Sequence, residues 1–261
     1  MKKIIFLFCF FMFVLYADAQ NAQYKVTYWS RLKVGNATGR NGKNTLYFDN
    51  TSGLFVFSDY PKKEKWQQNG NDFDVTPGDV EGLPIYTNLK DKYLYFKSDQ
   101  VIKGVFPILK ENLPAISWKI SGESKKIEKF NCIKAEGSFA GRVYDVWFSP
   151  EIPVGLGPHK LGGLPGLILE AKSRDGFVIF EFKSYESPSP EAVKLEKPSG
   201  GKEMTLNELK ELSIKNLLEA EALSTEDAQT TLTPPPPNWD IEFDKYPFIA
   251  DYKRARSATK K

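Results

Sequence analysis

Two apolar runs and the turn between them decide the fold of this chain, and together they read Leu167-Ile-Leu-Glu-Ala-Lys-Ser-Arg-Asp-Gly-Phe-Val-Ile-Phe-Glu-Phe182. Both runs are rich in β-branched and aromatic residues, which favour the pleated, half-buried surface of a sheet. Asp175-Gly176 separates them, and an Asp-Gly pair between apolar runs is the strongest short-range signal of a hairpin, because both residues tolerate a tight turn. The stretch therefore predicts two antiparallel strands.

The same pattern extends over most of the chain. Short aromatic or β-branched runs recur between turn residues, at 24–29, 44–48, 54–57, 93–96, 101–109, 117–120, 132–135 and 142–148. The cluster Asp49-Asn-Thr-Ser-Gly53 predicts a second hairpin between two of these runs. We expect a mainly β fold, built as a curved antiparallel sheet or half-barrel.

One helix is predicted near the C-terminus. Thr205 and Glu208 have the spacing of a capping box, in which each side chain bonds the other residue's amide at a helix start. Four leucines then follow at helical spacing on one side, at positions 206, 209, 212 and 217. We expect this helix to pack its leucine side on the sheet.

The termini differ in composition from the β-rich part. Lys2 and Lys3 precede an apolar run over 4–16, and Ala17-Asp18-Ala19 supplies the small residues of a signal peptidase site. The run is shorter than the about 20 residues of a membrane span. We predict a signal peptide over 1–19, a single β-rich domain over 20–233, and a Pro-rich linker and basic tail over 234–261. The expected location is periplasmic or secreted, with no transmembrane segment in the mature chain.

Charge and cysteine content exclude several classes of protein. The formal net charge is only +3, and the basic residues are dispersed except at the extreme C-terminus, whereas nucleic-acid binding requires a concentrated basic face.

Cys132 is the only cysteine after residue 19, so the mature chain has no internal disulfide. Core packing must therefore stabilise the fold, and an apolar content of 41% is sufficient for one sizeable core.

The segment 149–166 differs from the rest because half of its residues are Gly or Pro. Such a composition can hold one defined path without strand pairing, and long loops of this kind are often binding loops. Its end, Gly163-Leu164-Pro165-Gly166-Leu167-Ile168, resembles the signature of the GLPGLI family, and the flanking runs Cys132-Ile-Lys-Ala135, Glu151-Ile-Pro153 and Gly157-Pro158 extend the similarity.

The resemblance implies an exported Bacteroidetes protein of a family without known activity. It covers the span 118–182 well and the earlier strands loosely. His159 departs from the pattern, since an aromatic residue such as Trp is expected after Gly157-Pro158, and this leaves the role of the position open. We take His159 and the hexapeptide, Gly163, Leu164, Pro165, Gly166, Leu167 and Ile168, as candidate binding residues. In the hexapeptide Pro165 restricts φ, while Gly163 and Gly166 permit turns that a side chain would obstruct.

The residues that could support catalysis are few. His159 is the only histidine, which argues against a zinc site, and the sequence predicts no metal ligands and no cofactor. A Cys132–His159 dyad is conceivable, but no third orienting group can be nominated, and a buried packing role suits Cys132 better. Glu151 and Glu170 read as ordinary charges at strand ends. We assign no catalytic residue and expect no enzyme.

Three functions stay open at this point. The first is a non-enzymatic binding or carrier module for an apolar small molecule, held by the aromatic-rich face of the curved sheet. The second is an accessory protein that contacts an outer-membrane transporter or another envelope protein through the Gly/Pro loop. The third is a cysteine-dependent enzyme.

The signal peptide gives the first prediction. The mature protein should begin at Gln20 and carry no acyl chain, because the Ala-x-Ala site precedes Gln20 and Cys9 lacks the small preceding residue of a lipidation site. Intact-mass measurement and N-terminal sequencing of the exported protein check this. An acylated chain, or one that retains residues 1–19, contradicts it.

Overall fold

A computed structural model describes residues 21–33, 41–57, 67–69, 72–74, 83–97, 106–223, 254 and 256–258. The predicted signal peptide over 1–19 lies outside the described residues. So does the predicted linker and tail over 234–261, apart from residues 254 and 256–258, which are helical.

The described chain consists mainly of β-strands, followed by a helix. The strands are β1 (Tyr24–Leu32), β2 (Asn41–Phe48), β3 (Ser52–Val56), β4 (Gln67–Asn69), β5 (Asp72–Asp74), β6 (Ile85–Asn88), β7 (Tyr93–Lys97), β8 (Pro107–Asn112), β9 (Lys119–Ile127), β10 (Phe130–Phe139), β11 (Arg142–Ser149), β12 (Leu167–Ser173), β13 (Val178–Glu186) and β14 (Lys202–Met204). The helix α1 spans Leu206–Leu223.

Twelve strands form one sheet in the order β14-β8-β7-β6-β3-β2-β1-β13-β12-β11-β10-β9, and β4 pairs with β5 separately. Neighbouring strands are antiparallel except β14 and β8, which are parallel. The two ends of the order, β14 and β9, do not pair, so the sheet is not closed. The expected mainly β fold with a curved, largely antiparallel sheet is confirmed.

Both predicted hairpins are present. Strands β12 and β13 pair antiparallel with Ala171 opposite Phe180, and Gly176 has a φ of +72° in the turn between them. Strands β2 and β3 pair across the Asp49 turn, where the Asp49 carboxylate accepts hydrogen bonds from the backbone amides of Thr51 and Ser52 at 2.6 and 2.7 Å.

A short connection forces the sheet to curve. Residues 113–118 join β8, near one end of the sheet order, to β9 at the other end. In a flat sheet these two strands would lie about 48 Å apart, at about 4.8 Å per strand. The connection spans at most about 25 Å when fully extended. The sheet therefore bends until its two ends face each other across an opening.

The main core lies on the inner face of this bend. Large side chains with at most 1% exposure fill it, including Tyr28, Phe48, Phe55, Phe148 and Phe180. Ring pairs such as Phe55 and Phe180, at 6.1 Å and perpendicular, add the edge-to-face contacts that aromatic side chains prefer.

The predicted helix is confirmed, together with its capping box. The Thr205 amide donates to Glu208 Oε2 at 2.6 Å, and the Glu208 amide donates to Thr205 Oγ1 at 3.2 Å. Leu209 is buried against Leu109 of β8 and Met204 of β14, so the helix packs beside one end of the sheet. Within the described part of the chain, no helix has both the length and the apolar character needed to cross a membrane.

Candidate functional site

The Gly/Pro segment between β11 and β12 lies over the inner face of the sheet. Val154, Leu156, Leu161 and Leu164 are each at most 4% exposed and belong to the main core. Leu156 packs directly on Gly53 of β3, where an added Cβ would lie 2.8 Å from its Cδ1 atom. The segment therefore covers the inner face with its own apolar side chains.

Backbone hydrogen bonds give this segment one path. The Gly163 amide donates to the Gly155 carbonyl at 3.0 Å, and the Ile168 amide donates to the Leu156 carbonyl at 3.0 Å. From outside the segment, Trp118 Nε1 donates to the Gly162 carbonyl at 2.8 Å. A segment with so many internal and external bonds is a packed loop with a defined shape.

Two glycines of the segment allow backbones to approach closely, and a third has an unusual φ. A Cβ on Gly162 would lie 2.6 Å from the Gly155 oxygen, and one on Gly166 would lie 2.3 Å from the Ser149 oxygen. Gly163 has a φ of +86°, which side chains strongly disfavour. Thus Gly166 is required for space next to Ser149, whereas the left-handed backbone belongs to Gly163.

Lys160 of the Gly/Pro segment contacts residues of β7 and β8. Its side chain is only 2% exposed, and Nζ lies 3.2 Å from Glu111 Oε2 and 3.5 Å from the centre of the Phe96 ring. A buried ammonium group is tolerated only with such partners, because desolvation of a lone charge is very costly. The contact joins the loop after β11 to β7 and β8.

His159 stands next to Lys160 in a left-handed conformation, with a φ of 58°. Its ring centre lies 6.4 Å from that of Phe55 and 6.2 Å from that of Phe57. This places the imidazole in an aromatic environment.

A cavity of about 220 Å³ lies beneath the loop. His159, Gly163 and Leu164 line it, together with Lys160, Leu113 and Pro114. The other predicted binding residues, Pro165, Gly166, Leu167 and Ile168, do not line it. Leu167 and Ile168 are fully buried in the sheet, and Pro165 is exposed.

A larger cleft of about 530 Å³ lies on the other side of the connection 113–118 and shares Pro114 with the cavity. Its apolar lining includes Ala115, Ile116, Phe139, Ala140 and Leu206. Glu111, Asn112 and Ser138 add polar groups. The cleft thus lies between β8, the turn from β10 to β11, and the start of α1.

Sequence reasoning missed this cleft. Its apolar residues come from a connection, a strand end and a helix start, and only Leu206 belongs to a pattern visible in the sequence, the leucine side of the predicted helix. Lys160 was missed as well, because its partners Glu111 and Phe96 are far from it in sequence and nothing in the local pattern points to them.

The candidates for catalysis are not brought together. Cys132 is fully buried and its thiol contacts the Phe130 carbonyl oxygen at 3.7 Å, whereas His159 packs on Phe55 and Phe57. Burial raises the pKa of the Cys132 thiol to about 11, so the thiol is protonated at neutral pH. This environment suits a packed cysteine.

The two candidate acids each have separate partners. Glu151 accepts hydrogen bonds from the amide and the side chain of Asn131 at 3.0 and 2.7 Å, and these bonds lower its pKa. Glu170 pairs with Lys125 at 2.5 Å. Among the described residues, no group of three or more His, Cys, Asp or Glu side chains has the arrangement of a metal site.

The family comparison points to the same segment. A family model described as "Protein of unknown function (Porph_ging)" matches residues 140–170, which include all of β11, the Gly/Pro segment and the start of β12. This match is compatible with the resemblance found in the sequence, but it does not establish the GLPGLI name. No curated protein sequence matches the chain.

The fold resembles part of a larger protein of known structure. Two crystal forms of a protein described as PNGF-II, in space groups P21 and C2, each match with a TM-score of 0.51 and 17% identity. The match covers 73% and 74% of this chain, but only 33% and 32% of the PNGF-II chain. At this identity the likeness concerns the fold alone, and this chain spans about a third of the length of that protein.

The close approach at Gly166 gives a stability prediction. Gly166→Val should lower the free energy of unfolding by about 1–3 kcal/mol, because the new side chain must displace the Ser149 carbonyl. Thermal and urea unfolding measure the change. Gly122→Val in β9 is the matched control, since a Cβ there has nothing within 4 Å and should have little effect. Equal melting of both variants and the wild type would show that the path of the loop does not depend on Gly166.

The buried thiol gives a reactivity prediction. Cys132 should react slowly with iodoacetamide in the folded protein at pH 7–8 and rapidly in urea, because burial raises its pKa to about 11 and excludes the reagent. The unfolded thiol ionises more easily, so its contribution to stability is present at neutral pH and is lost as the pH rises towards about 11. Rapid labelling of the native protein at neutral pH would instead favour the hypothesis of a cysteine-dependent enzyme.

Proposed function

We propose that this protein is an exported, non-enzymatic binding protein for a small apolar molecule, which occupies the cleft at the opening of the sheet. The observation that carries the proposal is the cleft of about 530 Å³ between β8, the turn after β10 and α1. Its volume is in the range typical of small-molecule sites, about 300–1,000 Å³.

The lining suits an apolar ligand with a small polar part. Ile116, Phe139 and Leu206 supply apolar surface from three separate elements, while Glu111 and Ser138 offer polar atoms. Binding sites commonly combine a mostly apolar wall with a few placed polar groups that fix orientation. The cavity beneath the loop is a separate space that shares only Pro114 with the cleft.

Support for a non-enzymatic role comes from the chemistry of the site. The lining of the cleft holds no histidine and no cysteine, and Cys132 is a buried, protonated thiol elsewhere in the core. Export rests on the sequence of residues 1–19.

There is less support for the second hypothesis, an accessory protein that contacts another envelope protein through the Gly/Pro loop. Among the hexapeptide residues, Leu164, Leu167 and Ile168 are buried, and the exposed Gly163 and Pro165 present little surface. A docking surface usually offers large exposed side chains, and this loop turns its large side chains into the core.

Filling the cleft tests the proposal. The mature protein should bind the uncharged fluorescent dye N-phenyl-1-naphthylamine in its folded state. Ala115→Trp should weaken that binding at least tenfold, because Ala115 is exposed on the cleft wall and a tryptophan there occupies the volume. Fluorescence titration measures the affinity, and thermal unfolding should show both proteins equally folded.

Lys172→Trp provides the control, since Lys172 is exposed on β12 and does not line the cleft. It should bind the dye like the wild type. Native mass spectrometry of protein purified from its own envelope should reveal a bound apolar molecule that is absent from Ala115→Trp. If the wild type binds no dye, or the two tryptophan variants bind equally, the cleft is not the site.

A further inference from the structure

The wall of the cleft carries a negative charge. Among the described residues that line it, Glu111 is the only charged one, while Asn112 and Ser138 supply neutral polar groups. The Glu111 side chain is only 14% exposed, so water and salt screen its carboxylate in part only. A charged group of a ligand in the cleft would therefore interact with Glu111 more strongly than with an exposed surface carboxylate.

The positive partner of Glu111 faces a different space. Lys160 Nζ lies 3.2 Å from Glu111 Oε2, yet Lys160 lines the cavity beneath the loop, whereas Glu111 lines the cleft. The pair thus presents its carboxylate to the cleft and its ammonium group to the cavity. A carboxylate has about four lone-pair sites, so the bond to Lys160 does not exhaust the accepting capacity of Glu111.

The start of α1 adds little attraction for an anion. Leu206, the first residue of the helix, lines the cleft, and a helix N-terminus normally favours negative groups. Here the Glu208 carboxylate already accepts hydrogen bonds from the Thr205 amide and the Thr205 hydroxyl, at 2.6 and 2.9 Å. A carboxylate of the chain itself thus offsets the positive end of the helix.

We propose that the ligand of this cleft is an apolar molecule with a protonated amino group, and that Glu111 pairs with that group. The apolar part of the ligand lies on Ile116, Phe139 and Leu206. This class of ligand rests on the proposed function, because it occupies the same cleft. A fatty acid would instead bring a second negative charge close to Glu111, and like charges repel strongly where water is partly excluded.

Competition among three molecules with the same apolar chain tests the charge preference. Dodecylamine, dodecanol and dodecanoate are titrated against N-phenyl-1-naphthylamine bound to the full mature protein, at neutral pH and low salt. The affinity for dodecylamine should exceed that for dodecanoate by about tenfold or more, with dodecanol between them, because only the amine is attracted by Glu111. Glu111→Gln should bring the three affinities close together, since the amide has a similar size and no charge.

A second variant leaves the pair of Lys160 and Glu111 intact. Ser138→Lys places a cation on the exposed wall of the cleft and should reverse the preference, so that dodecanoate binds more tightly than dodecylamine. Ser124→Lys is the matched control, because Ser124 is exposed on β9 and does not line the cleft. It should keep the preference of the wild type, and thermal unfolding should show both lysine variants folded.

The dye separates a failure of this proposal from a failure of the proposed function. Suppose that the wild type binds the dye and Ala115→Trp does not, but the three molecules displace it equally or dodecanoate displaces it best. The amine preference would then be wrong, and the cleft would stand as the binding site. If the wild type does not bind the dye at all, the proposed function fails and the amine ligand fails with it.

Discussion

The connection of residues 113–118 constrains the rest of the structure. It joins strands that are ten positions apart in the sheet order, and it is too short to do so unless the sheet bends strongly. Bending creates an inner face that must be shielded from water, and it brings the two ends of the sheet towards each other. The Gly/Pro segment covers the inner face, whereas the space between the ends stays partly open and forms the cleft. The short connection therefore accounts for the bent sheet, for the position of the Gly/Pro segment over its inner face, and for the cleft between its ends.

The packing of the Gly/Pro segment accounts for the glycines and apolar residues in its sequence. Four of its apolar side chains are in the core, and its backbone passes within contact distance of Ser149 and of its own Gly155. Backbone groups can approach so closely only where no Cβ intervenes, which explains Gly162 and Gly166. The buried pair of Lys160 and Glu111 then joins the loop to β8, so that the loop braces the bend from inside. Such a structural role accounts for the residues of the hexapeptide without a ligand.

The sequence predicted those features that depend on local chemistry. The Asp-Gly and Asp49 turns, the capping box of Thr205 and Glu208, and the mainly β class all follow from residues close together in the chain, and the structure contains each of them. The candidate site was predicted less well. His159, Gly163 and Leu164 do line the loop cavity, but Leu167 and Ile168 are buried strand residues. The cleft forms where elements that are far apart in the chain come together at the opening. The local sequence around Ile116, Phe139 or Leu206 does not predict that these residues lie close to one another.

Function in this fold is best sought where the chain does not cover itself. Most of the inner face is filled by the protein's own loop, so a ligand that required the whole concave surface would have to displace Leu156, Leu161 and Leu164 from the core. Displacing several buried leucines would cost roughly as much as truncating them, about 2–5 kcal/mol each, which approaches or exceeds the stability of a typical domain. Binding at the opening avoids this cost, because the cleft already exists in the folded protein and its walls come from elements held by other contacts.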